Sequence, residues 1–285
     1  MKNILVTGGA GFIGMNLIKV LIKNGHNVTS IDNYSTGKKS NEFNDARYID
    51  DDIENIVKLN SEFDTCFHLA AQSRVQPSFD NPRETFRVNV TGTMRVLEWA
   101  KNKNVKVIYA GSSSKHHNPS DSPYAMYKFL GEEICRLYKK SFDLNVEISR
   151  FYNVYGPGEN IDSKFGNVLG IWTSQIMKNE PVTIVGDGNQ KRDFIHVYDL
   201  VEGLVKIAEA NISNNDGWEL GTGVNYSINE LFSFFNNKFK IKSITIPDQP
   251  GNYRETLRIN DGAIKLLNWK PKDRLKQHIE NLNIL

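Results

Sequence analysis

The sequence predicts an α/β fold: a doubly wound parallel β-sheet with helices on both faces, joined to a small C-terminal α/β lobe. Three observations carry this. Over the first two-thirds of the chain, short apolar runs alternate with segments of helical spacing, the order that sandwiches a parallel sheet between helices. A glycine-rich turn separates the first strand from the first helix. After about Tyr155 the alternation becomes irregular, with no Pro/Gly-rich linker to set the remainder apart. Residues 1–155 are therefore expected to form the main domain. Residues 156–285 are expected to form mainly the lobe, with some segments returning to the main domain.

Each element has its own signal. Residues 4–7 are a short apolar run, read as a buried strand, and 8–14 are the turn. Residues 15–24 place Leu17, Ile18, Leu21 and Ile22 on one helical face, and Gly25 suits the stop. A second strand covers 28–31 and ends at Asp32. Polar residues 33–44 read as a loop, and 47–49, 65–69 and 106–109 as strands. Helices are expected over 83–102, with Phe86, Val90, Met94, Leu97 and Trp99 as its apolar positions, and over 124–140. Beyond the 156–158 turn come a helix over 164–178, a strand over 182–185 and a helix over 198–210, introduced by Asp193 and His196. A strand over 219–222 and a helix over 228–239 follow.

Composition removes several classes of function. The 285 residues are 39% hydrophobic and 11% aromatic, enough to bury a core. The 35 basic and 33 acidic side chains leave a net charge of +2, and neither half is strongly basic, so nucleic acid is not an expected partner. No apolar stretch is long enough for a signal peptide or a membrane span. Cys66 and Cys135 form no disulfide framework or zinc pattern and read as buried thiols of a reducing compartment. A cytoplasmic protein without a metal is expected.

Gly8, Gly11 and Gly14 stand at GxxGxxG spacing between a strand and a helix. Without side chains there, backbone N–H groups can approach a pyrophosphate at the positive end of the helix dipole. Asp32, at the end of the second strand, is placed to accept hydrogen bonds from an adenosine ribose and to repel a 2′-phosphate, which favours NAD over NADP. Downstream, Tyr124 and Lys128 are four residues apart and share one helix face. A free tyrosine titrates near pH ~10, and a fixed cation beside it would bring that value toward neutrality. Alone, such a pair is a common surface pattern. Ser112, Ser113 and Ser114 follow the preceding strand, at the end where open α/β sheets place their chemistry.

Together these motifs resemble the extended short-chain dehydrogenase/reductase superfamily and, within it, the NAD-dependent epimerase/dehydratase family on its nucleotide-sugar 4-epimerase side. TGGAGFIG (7–14), SIDNYSTGK (30–38), HLAAQ (68–72), VNVTGT (88–93), RFYNVYGPG (150–158) and GDGNQKRDFIHVYDLVEG (186–203) carry the resemblance, and LLNWKP (266–271) matches the family's closing helix. It implies a Rossmann-type fold with Ser114, Tyr124 and Lys128 as catalytic residues. For NAD it implies Gly8, Gly11, Phe12, Ile13, Asp32, Asn33, Ser35, Thr36, Gly37, Asp52, Ile53, Leu69, Ala70, Ala71, Asn89, Tyr152 and Val154, besides Tyr124 and Lys128. For a nucleotide-diphosphate sugar, a UDP-sugar first, it implies Asn153, Asn167, Val168, Arg192 and Arg254. A homodimer built through the 83–102 and 124–140 helices is implied as well.

The chain departs from the family pattern at three places. Only ten residues separate Ser114 from Tyr124, so the rim of the sugar pocket differs. Lys115 and His116 replace the Asp-Glu pair that follows the active-site threonine of sugar dehydratases. His116 reads as either an acid near neutral pH or a loop histidine. Gln249 stands where a diphosphate-binding arginine is usual, with Arg254 nearby. The expected activity is NAD-dependent 4-epimerisation of a UDP-hexose through a 4-keto sugar, with Lys128 lowering the Tyr124 pKa. A reductase, dehydrogenase or dehydratase of the same family, or a non-catalytic NAD-binding scaffold, are the alternatives.

Overall fold

The computed structural model describes residues 2–161 and 165–284. Strands β1 (Asn3–Thr7), β2 (Asn27–Asp32), β3 (Ala46–Asp50), β4 (Thr65–His68), β5 (Lys106–Ser112) and β6 (Val146–Phe151) alternate with helices α1 (Phe12–Lys23), α2 (Val75–Asp80), α3 (Pro82–Phe86), α4 (Thr93–Lys103) and α5 (Pro123–Phe142). The chain continues through β7 (Asn153–Tyr155), α6 (Val168–Met177), β8 (Val182–Val185), β9 (Lys191–His196), α7 (Val197–Glu209), β10 (Trp218–Leu220) and β11 (Asn225–Ser227). It ends with α8 (Ile228–Phe239), β12 (Ser243–Ile246), α9 (Gly262–Leu267) and α10 (Leu275–Asn281).

Seven strands form one sheet in the order β10-β6-β5-β4-β1-β2-β3, and every neighbouring pair is parallel. The expected Rossmann-type α/β architecture is thus observed. Alternate side chains feed two cores. Ile4, Val6, Phe67 and Ile108 pack with Leu17, Ile18, Leu21 and the α7 residues Leu200 and Leu204. Leu5, Cys66, Val107 and Tyr109 pack on the opposite face with Val96, Leu97, Cys135 and Tyr138. The thiols of Cys66 and Cys135 are free and buried, as expected. A third core, around Trp172, Phe194, Leu231 and Phe235, belongs to the C-terminal elements. Among the described residues no helix is long and apolar enough to cross a membrane.

Several predicted boundaries move. Strand β6 carries Glu147 and Arg150 inside an otherwise apolar run, which hides it from a hydropathy reading. Both charges are buried and paired: Glu147 accepts from Trp218 Nε1 at 2.6 Å and Asn214 N at 3.1 Å. The 83–102 helix is instead α3 and α4 joined by a wide π-type turn, Arg87–Gly92. That turn shifts the phase of the helical repeat. Phe86 and Met94, read as core-facing, are accordingly exposed, while Val90, Leu97 and Trp99 are buried. The 164–178 helix is α6, beginning at Val168 with Asn167 as its cap; Lys164 lies outside the described residues. Asp193 lies in β9, and His196 caps α7 by accepting from Tyr198 N. The 266–271 segment is not one helix. Asn268 adopts a left-handed φ of 48°, and Trp269 turns into the core, donating to Asp199 O at 2.8 Å.

Two buried polar networks tie the sheet to its helices. Arg150 on β6 donates from Nη2 to Glu132 Oε2 on α5 at 2.9 Å and from Nη1 to Glu219 Oε1 on β10 at 2.6 Å. Tyr152 donates to the other Glu219 oxygen at 2.7 Å, and His116 Nε2 lies 2.9 Å from Oε1. The second network starts at Ala70 N, which donates to Thr7 Oγ1 at 3.1 Å; Thr7 Oγ1 lies 2.8 Å from His68 Nδ1. His68 Nε2 lies 3.0 Å from Thr93 Oγ1, which donates to Asn89 O at 2.8 Å. Because the Thr93 proton is committed to Asn89, His68 donates from Nε2, and burial beside the Lys128 charge favours the neutral ring, which accepts at Nδ1 from Thr7.

Glu132→Ala should strand Arg150 in the core and cost about 3–5 kcal/mol in urea-induced unfolding; a loss under about 1 kcal/mol would contradict the network's role. Burial and the charge of Lys128 hold the His68 pKa down to about 3. A depressed histidine means that the unfolded chain takes up a proton which the native state refuses, so stability falls as pH drops from about 6.5 toward 3. The wild type should lose up to about 1.4 kcal/mol per pH unit more than His68→Gln in that window. Parallel curves for the two proteins would refute the assignment.

Candidate active site

Strand order reverses between β1 and β4, and the connections leaving the two strands diverge there. The gap at the carboxyl ends of a parallel sheet is where such folds bind ligands. A cavity of about 940 Å³ occupies it, walled on one side by the main sheet and on the other by the lobe.

One end is built by the turn after β1. Gly8 has a φ of 74°, and a Cβ there would come within 2.8 Å of Ala70 N, so only glycine lets the turn lie against the loop after β4. A Cβ at Gly14 would come within 2.2 Å of Gly8 O. No side chain caps α1, which leaves its N-terminal N–H groups available to an anion. Asp32 accepts from Ala10 N at 2.9 Å and Tyr34 N at 2.8 Å, and burial raises its pKa. These two bonds lock the acid at the mouth of the turn. Gly8, Gly11, Phe12, Ile13, Asp32, Asn33, Ser35, Thr36, Ile53, Leu69, Ala70 and Ala71 all line the cavity, a cradle suited to a dinucleotide.

The middle is built by β5 and α5. Tyr124 and Lys128 both line the cavity, as their spacing implied. Ser122 caps α5 by accepting from Ala125 N at 3.1 Å, and Tyr124 N donates to Ser78 Oγ at 3.1 Å, so the first turn is held at both sides. Burial raises the Tyr124 pKa; the Ser112 hydroxyl and the charge of Arg74 oppose the rise. Strand β5 runs on through Ser112, whose hydroxyl lies beside Tyr124. Ser114 sits one turn further, on the cavity wall, with a buried hydroxyl that has no partner. Arg74 supplies a positive charge near Tyr124. Lys128 donates to Ala110 O at 2.9 Å, and burial brings its pKa down to about 8.

The far end is closed by the lobe. Tyr152, Asn153, Val154, Arg192 and Gln249 line it. Asn153 donates to Asp193 O at 3.2 Å. Arg192 donates to Lys191 O at 2.8 Å and to Asn252, and burial brings its pKa down to about 10. His117 stacks on Tyr253, which lines the cavity, with ring centroids 3.9 Å apart.

The remaining residues lie behind the wall. Asn89 is buried and clasps Gln72, accepting from its N at 2.8 Å and donating to its O at 2.9 Å. Asp52 is held by Arg87 and Asn33, which keep its pKa near 2, and supports Ile53 from outside. A Cβ at Gly37 would meet the backbone of Ala10. Asn167 donates to Val154 O and caps α6 ahead of Val168. Arg254 is solvent-exposed, paired with Asp187 at 3.1 Å, and does not line the cavity. His116 is neither a pocket acid nor a free loop residue, because Glu219 holds it away from the cavity.

Sequence reasoning missed Arg74, Glu159 and Tyr253. Each lines the cavity. Arg74 and Tyr253 fall in polar segments without a pattern, and Glu159 follows an ordinary Gly-Pro-Gly turn. Ser112 could have been preferred had the strand been extended through the serines.

Comparison with known proteins completes the picture. The family model described as NAD dependent epimerase/dehydratase family matches residues 4–221. The putative UDP-glucose 4-epimerase of Methanocaldococcus jannaschii is 33% identical over 305 residues, covering 98% of this chain and 96% of its own. The crystal structure of UDP-glucose 4-epimerase from Thermotoga maritima, with UDP-glucose, aligns at a TM-score of 0.90 and 28% identity, covering 98% and 96% of the two chains. The UDP-glucuronic acid 4-epimerase of Bacillus cereus, in complex with UDP-glucuronic acid and NAD, aligns at 0.89 and 29%, with the same coverage. The fold, the glycine cradle and these matches together establish that the chain belongs to the NAD-dependent epimerase/dehydratase family, an enzyme whose cofactor is NAD.

Proposed function

We propose that the protein is an NAD-dependent nucleotide-sugar 4-epimerase acting on a UDP-hexose. The observation that carries this reading is the convergence of Tyr124, Lys128 and Ser112 in the same cavity as the glycine cradle. NAD, when bound, supplies the hydride acceptor and returns the hydride. Tyr124 takes the proton from the sugar 4-hydroxyl and later gives it back. Arg74 and Ser112 favour its ionised form. Ser112 also donates to the same sugar oxygen as it gains and loses carbonyl character. Lys128 is placed to hold the nicotinamide ribose, and Arg192 to meet the diphosphate.

The division of labour follows the chain: 1–155 hold NAD and the reacting groups, and 156–285 mainly hold the nucleotide sugar. A dehydratase needs an acid and a base beside the active-site serine. Lys115 is paired with Glu133 at 2.8 Å and His116 with Glu219, so neither serves, and epimerisation is favoured. The exposed Phe86, Met94, Leu137 and Phe142 support a homodimer through α3, α4 and α5, and the free thiols support a cytoplasmic home.

Incubation with UDP-glucose, followed by NMR, should yield the 4-epimer with no net formation of NADH; steady accumulation of NADH would overturn the reading. Tyr124→Phe should lower turnover by roughly 10²–10⁴-fold with stability preserved. Tyr127 packs edge-on against Phe86, 5.3 Å between centroids, and Tyr127→Phe should leave turnover nearly intact. Ser112→Ala should reduce turnover by about 10-fold or more, and further than Ser114→Ala; the reverse order would contradict the assignment.

A further inference from the structure

Segment 247–253 of the lobe is strung between two fixed points. At one end Gly186 N donates to Ile246 O, the last residue of β12, at 2.9 Å; at the other, Lys191 N donates to Arg254 O at 2.8 Å. Between them Gln249, Gly251, Asn252 and Tyr253 line the cavity. Three contacts hold this strap against the main domain. Gln76 Nε2 donates to Pro250 O at 2.9 Å. Gly251 has a φ of 73°, and a Cβ there would come within 2.8 Å of Val75 Cγ1 and 3.2 Å of Ser122 Cβ, so the strap lies hard against both. The rings of Tyr253 and His117 are 3.9 Å apart between centroids and within 8° of parallel.

The surfaces that receive Gly251 belong to the elements that hold Tyr124. Ser122 caps α5 two residues before Tyr124, and Ser78, on the helix that begins at Val75, accepts from Tyr124 N at 3.1 Å. The strap therefore crosses the cavity at its reacting end. The Tyr253 hydroxyl is buried and completes no hydrogen bond, so it is the face of the ring that is held. His117 does not line the cavity; it reaches Tyr253 from the short segment between Ser114 and Tyr124. A ring stack and an amide-to-carbonyl bond are individually weak, which lets a strap of this kind open for a ligand and close behind it.

We infer that His117, by stacking on Tyr253, latches the strap over the sugar and keeps the 4-keto sugar in place until the hydride returns. The inference rests on the 4-epimerase reading of the same site. In that reaction C4 loses a hydride to bound NAD, and its hydroxyl loses a proton to Tyr124. A keto sugar that escapes therefore leaves a reduced cofactor behind and blocks its site. Oxidation at C4 changes neither the nucleotide nor the charge, so it offers the protein no new handle for holding the intermediate. Retention falls to whatever covers the pocket. Tyr253 is the covering group, and His117 is a positioning residue that acts through it.

The test follows UDP-glucose through many turnovers in the wild type, His117→Ala, His117→Phe and Tyr253→Phe, reading bound NADH by its fluorescence and 4-keto sugar in solution by NMR. In His117→Ala the ratio of keto sugar released to 4-epimer formed should rise roughly 3- to 10-fold, the worth of a ring contact, while NADH accumulates on the protein. His117→Phe restores a flat ring and should return the ratio to the wild-type range. Tyr253→Phe keeps the stack, so its ratio should also match the wild type, whatever its effect on turnover. Amide hydrogen exchange of 247–253, in protein loaded with NAD and UDP, should quicken in His117→Ala and not in His117→Phe. A wild-type ratio or exchange rate in His117→Ala, no rescue by His117→Phe, or a raised ratio in Tyr253→Phe would overturn the latch and leave the 4-epimerase reading standing. A wild type that forms no 4-epimer from UDP-glucose removes that reading, and the retention role with it, whatever the exchange rates.

Discussion

The reversal of strand order between β1 and β4 governs everything else in the molecule. Seven parallel strands send all their carboxyl ends to one side. On either side of the reversal the connections run to opposite helix layers, so no helix covers the gap between them. The glycine turn after β1, the loop after β4 and the serine run after β5 therefore converge on one opening. The pieces that build its floor are joined by neutral His68, whose two hydrogen bonds link the turn's strand to the helix behind it. Asn89 extends that chain to Gln72 on the cavity wall.

The buried charges divide into two kinds. Arg150, Glu132 and Glu219 are matched by one another and serve to hold α5, β6 and β10 together. Arg74, Arg192 and Glu159 line the cavity, and among the described residues none of them makes an ion pair. The first kind is explained by the fold alone. Tyr124 is buried enough to raise its pKa and close enough to Arg74 to resist the rise.

The parallel sheet and the cofactor cradle were legible in the sequence because both depend on local rules: apolar runs for buried strands, glycines for a close backbone approach, an acid at the end of β2. Tyr124 and Lys128 were legible because a helix fixes the geometry of residues four apart. Strand β6 was not, since its charges are satisfied by Glu132, Trp218 and Glu219, far away in the chain. That β5 runs on to Ser112 was not legible, because the polar serines carry no apolar signal for a strand. Arg74, Glu159 and Tyr253 come from three distant loops, and only the folded chain brings them to one wall.

The central claim is that the hydrogen at C4 leaves the sugar as hydride and returns to the same carbon. UDP-glucose deuterated at C4 tests it most directly. The account predicts that, in ordinary water, the 4-epimer keeps its deuterium at C4 and that the reaction slows with the heavier isotope if transfer limits the rate. A 4-epimer carrying solvent hydrogen at C4 would contradict it, because that hydrogen would then have come from water as a proton and not from a reduced cofactor as hydride.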